Sequence, residues 1–431
     1  MQQWARFAIL GAMFVTAYLL ILAWQKDYGH AAPAPQQQAA AVTAHEVSAD
    51  LPNAQNATAA SDLPQANVTA SQTTEHNTSV SQQLISVQTD LYHLWINPKG
   101  GDIVRIELLS HDESKDSDKP FVMLESDAKR TYVAQSGLIG LNGPDSSRSG
   151  RPMYDVEKTA YTLADAKSVA AKDGKTHQVL TVPLVFKTPE GVEVIKSFTF
   201  TQGDYPITVK HQVVNRSQQN WQGQMFGQLK RDNSDDPGKS SQGIFTLGTY
   251  LGGAWGTPEE HYNKLKFANF NDEKLNVEAK GGWVAMVQHY FVSAWIPGNL
   301  KLTQADGQPY TAKLESRQSA DGMNIMGFTS PVINVPAGTS MEVDAQLYSG
   351  PKIQSELKDL AAGLNQTVDY GWLWPIAKLL FLGLQFFHNL VGNWGWSIIL
   401  LTILVKLILW PLSSKSYRSM AKMRVIAPEM Q

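Results

Sequence analysis

The sequence predicts a mixed membrane protein: one large antiparallel β-sandwich joined to α-helical transmembrane segments and an interfacial amphipathic helix. Three observations carry this reading. Short alternating or β-branched runs, separated by turn residues, fill the stretch from Leu84 to Gly350. Two apolar runs, Phe7–Trp24 and Trp394–Leu412, approach the length of a bilayer crossing. Between them, Trp372–Val391 is apolar apart from Lys378, Gln385 and Asn389, which recur at intervals of seven and four and draw a narrow polar stripe down a helix.

Composition narrows the function classes. At 431 residues the length allows about two or three ordinary domains. A formal net charge of −3 gives no basic excess for direct nucleic-acid binding. With zero cysteines the chain has no disulfide, thiolate metal site or thiol nucleophile.

Taken in order, residues 1–25 hold the first apolar run, with Arg6 before it and Lys26-Asp27 after it. Its length, and the bulky Tyr18–Leu22 where small residues should precede a cleavage site, favour an uncleaved anchor over a signal peptide. The Ala31-Ala-Pro-Ala34 stretch keeps cleavage open as the alternative. Residues 26–82 are rich in Ala, Gln, Ser, Thr, Asn and Pro and read as a disordered tether, because so little apolar side chain cannot offset the entropy of ordering.

From 83 to 350 the expected strands include Leu84–Val87, Ile103–Leu109, Val179–Phe186, Val192–Phe200, Ile207–Val214, Trp283–Val287, Leu300–Thr303, Val332–Val335 and Met341–Leu347. Turn signals such as Asn97-Pro-Lys-Gly-Gly101 and Pro189-Glu-Gly191 punctuate them. Two smaller packed sandwiches are the alternative architecture. The histidines here (His93, His111, His177, His211, His261, His289) have no metal-ligand spacing, and neither a metal nor a cofactor is implied. Acidic residues sit in loops such as Asp112–Asp118 and Asp232–Asp236, read as solvated surface. No nucleophile elbow, phosphate loop or paired-carboxylate motif marks an enzyme. A membrane-anchored carbohydrate-binding or carbohydrate-active protein is the competing reading. It needs aromatic faces beside clustered acids, and Trp283 and Trp295 read rather as core.

A helical connector is expected over 351–371, with a short helix from Gln354 to Leu364. The amphipathic helix 372–391 follows, then a transmembrane helix over 392–414 and the start of a cytoplasmic helical hairpin over 415–431. Charge orients them. Lys415, Arg418, Lys422 and Arg424 face a single acid, Glu429, so the positive-inside rule puts this end in the cytoplasm, along with Arg6. Two spans satisfy that rule, and the Gly392-Asn393 link is short for a hairpin between two spans, so 372–391 lies on the outer surface. In a bacterial inner membrane the β domain is then periplasmic.

Within the last span, Lys406 is a full charge roughly 18 Å past Trp394. A lysine in a bilayer costs about 2.5–3.5 kcal/mol on insertion scales. It either snorkels past Pro411 to the interface or faces a water-filled cavity, with Thr402 one turn back on its face and Ser397 as a further polar group.

The order of segments and several motifs resemble the YidC family of bacterial membrane-protein insertases, in the Gram-negative form with a periplasmic domain. The motifs are Gly281-Gly-Trp-Val-Ala-Met-Val-Gln-His-Tyr-Phe-Val-Ser-Ala-Trp-Ile-Pro297, Val391-Gly-Asn-Trp-Gly-Trp-Ser-Ile-Ile399, Trp410-Pro-Leu412 and Ser419-Met-Ala-Lys-Met-Arg424. The resemblance implies a β-supersandwich periplasmic domain without a known reaction. It also implies a hydrated groove, open to the cytoplasm and to lipid, whose cation attracts the acidic or polar external segment of a nascent membrane protein. Lys406 takes the position of that cation, with Thr402 and Ser397 as added hydrogen-bonding groups, although the family more often has arginine there and its bidentate fork is absent. Implied partners are nascent membrane proteins, lipid, the SecYEG translocon with its accessory subunits, and the ribosome through the hairpin that begins at Lys415. Members of that family carry three further spans, so the sequence reads as truncated, and residues 1–431 alone are expected not to insert proteins.

Overall fold

The structure is a computed structural model that describes residues 83–114, 117–146, 150–170, 176–237, 250–302, 307–319, 321–368 and 374–426. The anchor expected at 1–25 and the tether expected at 26–82 lie outside the described residues.

The first strands are β1 (Ile85–Gln88), β2 (Tyr92–Asn97), β3 (Asp102–Asp112), β4 (Pro120–Ser126), β5 (Thr131–Ile139), β6 (Asp155–Val156) and β7 (Ala160–Thr162). Next come β8 (Lys167–Ala170), β9 (Thr176–Lys187), β10 (Val192–Thr201), β11 (Pro206–Asn215), β12 (Trp221–Arg231), β13 (Gly252–Gly256), β14 (Asn263–Leu265) and β15 (Asn276–Lys280). The last are β16 (Trp283–Val287), β17 (Phe291–Leu302), β18 (Gln308–Pro309), β19 (Thr311–Gln318), β20 (Asn324–Thr329), β21 (Ile333–Val335) and β22 (Ser340–Pro351).

They build two 11-stranded sheets. One runs β15-β19-β20-β12-β5-β4-β3-β2-β1-β7, with β21 beside β12. The other runs β14-β13-β16-β17-β22-β11-β10-β9-β6, with β18 on β17 and β8 on β9. All these pairings are antiparallel except one. At the edge of the first sheet β1 meets β7 in parallel over Ser86–Gln88, which departs from the expected all-antiparallel domain. The departure is small because β7 is only three residues long and joins an edge, where no further strand constrains its direction.

Sequence periodicity explains the layering. In β10 and β11 buried and half-exposed residues alternate without a fault, so Val192, Val194, Phe198, Ile207, Val209 and Val213 enter one core. Side chains of the other sheet, including Leu94, Ile106 and Leu138, join the same cluster, so the two sheets share a single interior. Polar links cross it. The Tyr92 hydroxyl on β2 lies 2.7 Å from the carbonyls of Tyr205 and Ser349, next to and on strands of the opposite sheet. Lys196 on β10 reaches the carbonyls of Gly100 and Ser136 at 3.0 and 2.8 Å.

Several strands were not visible as periodic runs. β12 carries Gly223, Gly227, Gln224 and Gln228, and most of it is buried on both faces between β5 and β20. A strand covered on both sides has no polar face, so the alternation that marks its neighbours is lost. The acidic loop Asp232–Asp236 also differs from its reading as solvated surface. Asp232 accepts from Thr131 N–H, and Asp236 pairs with the fully buried Arg231 at 2.6 Å.

The connector folds back onto the domain as α1 (Gln354–Leu360) and a 3-10 turn over Leu364–Thr367, with Leu357 and Leu364 fully buried. The single helix expected from Gln354 to Leu364 is thus split, because Gly363 takes φ 83° against the His261 backbone. Trp283 Nε1–H donates to the Ala362 carbonyl at 2.9 Å and fixes this latch.

Candidate functional site

After the domain the chain forms α2 (Trp374–Val391) and α3 (Trp394–Ile426), which pack on one another. The turn between them is only Gly392-Asn393. Gly392, at φ 67°, donates its N–H to the His388 carbonyl at 2.7 Å and stops α2. Asn393 Oδ1 accepts from the N–H groups of Gly395 and Trp396 at 2.8 and 3.2 Å and starts α3. The His388 and Trp394 rings stack across the turn at 3.8 Å and 6°. Gly383 and Leu401 lie about equally far from Gly392 in sequence, and a Cβ on Gly383 would meet Leu401 Cδ1 at 3.0 Å. The two segments therefore fold back as a helical hairpin, contrary to the expectation that a Gly392-Asn393 link is too short for one.

Each helix has distinct faces. On α2, Ala377, Phe381, Leu384, Phe387 and His388 are half-buried, while Lys378, Gln385 and Asn389 are exposed. Exposed Ile376, Leu379, Leu382, Phe386 and Leu390 extend an apolar surface beside that polar stripe. On α3, Ser397 is fully buried and Leu400, Leu401 and Val405 are half-buried, which marks the side turned to α2. Lys406 and Thr402 are exposed. At about 100° per residue, Lys406 lies about half a turn of azimuth from Ser397 and close to Thr402. The structure brings Thr402 and Lys406 together and places Ser397 on the opposite side.

The hydroxyls are partly committed. Ser397 Oγ donates to the Asn393 carbonyl at 2.6 Å and Thr402 Oγ1 to that of Ile398 at 2.8 Å. With its proton held by the backbone, Thr402 offers lone pairs, whereas the Lys406 ammonium offers donors and charge. No Asp or Glu occurs between Trp374 and Ile426, so this hairpin contains no carboxylate to neutralise Lys406.

Residues Trp394–Met420, 27 in number, are the one stretch among the described residues long and apolar enough to cross a membrane. The helix continues unbroken through Pro411 to Ile426, without a break at the boundary expected between 414 and 415. Proline removes the N–H that would serve the Leu407 carbonyl, and Ser414 Oγ separately donates to the Pro411 carbonyl at 3.1 Å. Lys415 and Arg418 are exposed on its distal part, and the backbone of Lys422 and Arg424 is helical with them.

Comparison with known proteins places these parts. The family profile described as "YidC periplasmic domain" matches residues 84–382, and that described as "60Kd inner membrane protein" matches 386–431. The membrane protein insertase YidC of Pseudomonas putida (strain GB-1) is 43% identical over 426 residues, covering 99% of this chain and 72% of that one. The protein of the same name from Stutzerimonas stutzeri (strain A1501) is 44% identical over 427 residues, with the same coverage of 99% and 72%. This chain belongs to the YidC family of membrane protein insertases.

Family membership assigns the β domain to the periplasm and the chain to a bacterial inner membrane. The YidC relatives are named as insertases rather than enzymes. Among solved structures, a galactose mutarotase related enzyme from Lactobacillus acidophilus aligns over 62% of this chain and 97% of that one. Its identity is 10% and its TM-score 0.34, below the level at which a common fold is inferred. In the YidC-type domain here Trp283 and Trp295 are buried to 0% and 1% exposure, so neither presents a face to a sugar. Among the described residues no cluster of three or more His, Asp or Glu side chains is arranged to hold a metal.

Proposed function

We propose that the chain takes part in inserting nascent membrane proteins into the inner membrane, with α3 forming one wall of a hydrated groove. The observation that carries this is Lys406: exposed, on the face of α3 turned away from α2, in a hairpin without any acid. A cation in a low-dielectric wall attracts carboxylates over a long range, and a polar lining shortens the apolar path that a translocating segment must cross. Thr402, one turn away, accepts hydrogen bonds from substrate N–H groups.

In this arrangement residues 1–25 anchor the chain from the cytoplasmic side, and α3 delivers Lys415, Arg418, Lys422 and Arg424 to the cytoplasm. That basic end receives substrate near the ribosome. The same membrane face cooperates with the SecYEG translocon.

The test joins this chain to the portion of the Pseudomonas putida relative that it does not span, reconstitutes it in lipid vesicles, and measures insertion of a short substrate with an acidic external tail. Lys406→Arg is expected to retain insertion, and Lys406→Ala and Lys406→Glu to lose most of it. Equal insertion by all three would refute a working cation and leave Lys406 as a lysine that snorkels.

A further inference from the structure

The β domain carries a groove that insertion does not use. Its volume is about 460 Å³, and it lies between the loop Gly140–Pro144, the segment Gly150–Met153 and the turn Phe186–Glu190 that joins β9 to β10. Leu141 is the most exposed large apolar side chain among the described residues of the domain, at 75%, and Met153 is 46% exposed. Both line this groove, together with half-buried Phe186 and the buried Pro144 and Pro152. Its wall is held rigidly. Asn142 N–H donates to the Gln222 carbonyl at 2.9 Å, Asn142 Oδ1 accepts from Gln222 N–H at 2.9 Å, and the Asn142 carbonyl accepts from Trp221 Nε1 at 3.0 Å. Covering apolar side chains on a preformed wall gains burial with little ordering cost.

The chain that precedes the domain arrives at this rim. Ile85 on β1 lies opposite Ile96 on β2, so Leu84 falls beside Asn97 and the residues before it run on toward Lys99. Lys99 bridges Met153, and the hydrogen bonds Tyr154 N–H to Pro98 and Gly100 N–H to Pro152 flank that bridge. Between residues 26 and 82 the sequence has two leucines, Leu51 and Leu63, and no Ile, Met, Phe or Trp. Each leucine sits in the same short motif, Asp50-Leu-Pro-Asn-Ala54 and Asp62-Leu-Pro-Gln-Ala66.

We propose that the groove is the docking site for these Asp-Leu-Pro segments of the chain itself, one at a time. Leucine and proline cover Leu141, Met153 and Phe186, and the fixed φ of proline keeps the segment extended at low entropic cost. Charge sets the direction. Lys99 is exposed and stands directly opposite Met153 in an antiparallel bridge, so the two side chains leave on the same side. Glu190 is exposed in the groove lining. Neither forms an ion pair among the described residues, whereas Arg151 is committed to Asp145 and Asp102. The motif's aspartate meets Lys99, and the Asn53 or Gln65 amide, roughly 9 Å further along an extended chain, meets Glu190. A polar coil from Ala66 to Gln83 spans roughly 20–25 Å and holds the motif at an effective concentration on the order of millimolar, so a weak contact suffices. Docking shortens the stretch between residue 26 and the domain and so restricts how far the β domain ranges from the membrane.

Thiol labelling of the full chain in detergent micelles tests this. The chain has zero cysteines, so Leu141→Cys supplies a unique probe of groove cover. Adding Leu51→Asp and Leu63→Asp removes both motifs and leaves the β domain's own sequence unchanged. Maleimide labelling should then speed up about tenfold, the change expected when the local motif concentration exceeds the dissociation constant about tenfold. Lys99→Glu should speed it severalfold, and an unchanged rate would remove the charge pairing. Equal labelling with and without the two leucines would refute the docking: fast in both means an open groove, slow in both means another cover. Protection that fades on dilution would assign the cover to a second copy and overturn docking within one chain.

Discussion

Lys196 and Arg151 donate to the same two carbonyl oxygens. Lys196 Nζ reaches Gly100 O and Ser136 O at 3.0 and 2.8 Å, and Arg151 Nη2 reaches the same pair at 3.0 and 2.8 Å. Arg151 also holds Asp145 at 2.6 Å and Asp102 at 2.7 Å, so two cations and two carboxylates sit at the interface of the sheets. His211, the cross-strand partner of Lys196, is fully buried, and burial holds its ring well below the usual histidine range.

This arrangement fixes a pH dependence. Burial pushes the Lys196 ammonium down to about 7, against 10.5 for an ordinary lysine. Between those values the unfolded chain binds a proton that the folded chain has released. Stability therefore rises with pH across that window, and the penalty is fully present below about 7. In denaturant unfolding from pH 7 to 10, the wild type should gain stability toward the one-proton limit of about 1.4 kcal/mol per pH unit. Lys196→Met should flatten that slope, because Arg151 still serves both carbonyls. A slope unchanged in the variant would assign it to other groups.

The latch between connector and domain is sensitive to one atom. A Cβ at Gly363 would overlap the His261 carbonyl oxygen, and the backbone there is left-handed at φ 83°. Gly363→Ala should cost on the order of 2–3 kcal/mol. Protease cleavage near residue 363 should rise in parallel, and unchanged protection would mean that the latch is not set by this contact.

Tyr92 ties the two sheets through its hydroxyl. Tyr92→Phe leaves the ring in the core and removes one donor shared by two buried carbonyls, so a loss of about 1–2 kcal/mol is expected. Calorimetric unfolding of the full chain measures it. A loss near zero would indicate that water replaces the hydroxyl.

Orientation in the bilayer can be read directly because the chain has zero cysteines, so an introduced cysteine is unique. Cysteine at 378, 385 or 389 should react with an impermeant maleimide from the periplasmic side, and cysteine at 382 or 386 should react slowly, shielded by lipid. Cysteine at 415 or 418 should react only once the inner membrane is opened. Periplasmic labelling at 415 would reverse the orientation of α3.

The sequence alone determined what depends on periodicity and on local charge. Alternation in β10, β11 and β22 gave strands and faces, because a pleated strand sends successive side chains to opposite sides. The stripe Lys378, Gln385, Asn389 and the isolated Lys406 were equally legible, since 3.6 residues per turn fixes which of them share a face. Tertiary structure decided the rest. It divided the 22 strands of the described residues between two sheets, buried β12 on both faces, and turned Asp232 and Asp236 inward. It put Ser397 against α2 and Lys406 on the other side, and it brought together Lys196 with Arg151 and Arg130 with Arg231. The physical reason is common to all of these. Whether a polar side chain meets solvent, a carbonyl or another charge depends on partners distant in the chain, and local spacing carries no record of them.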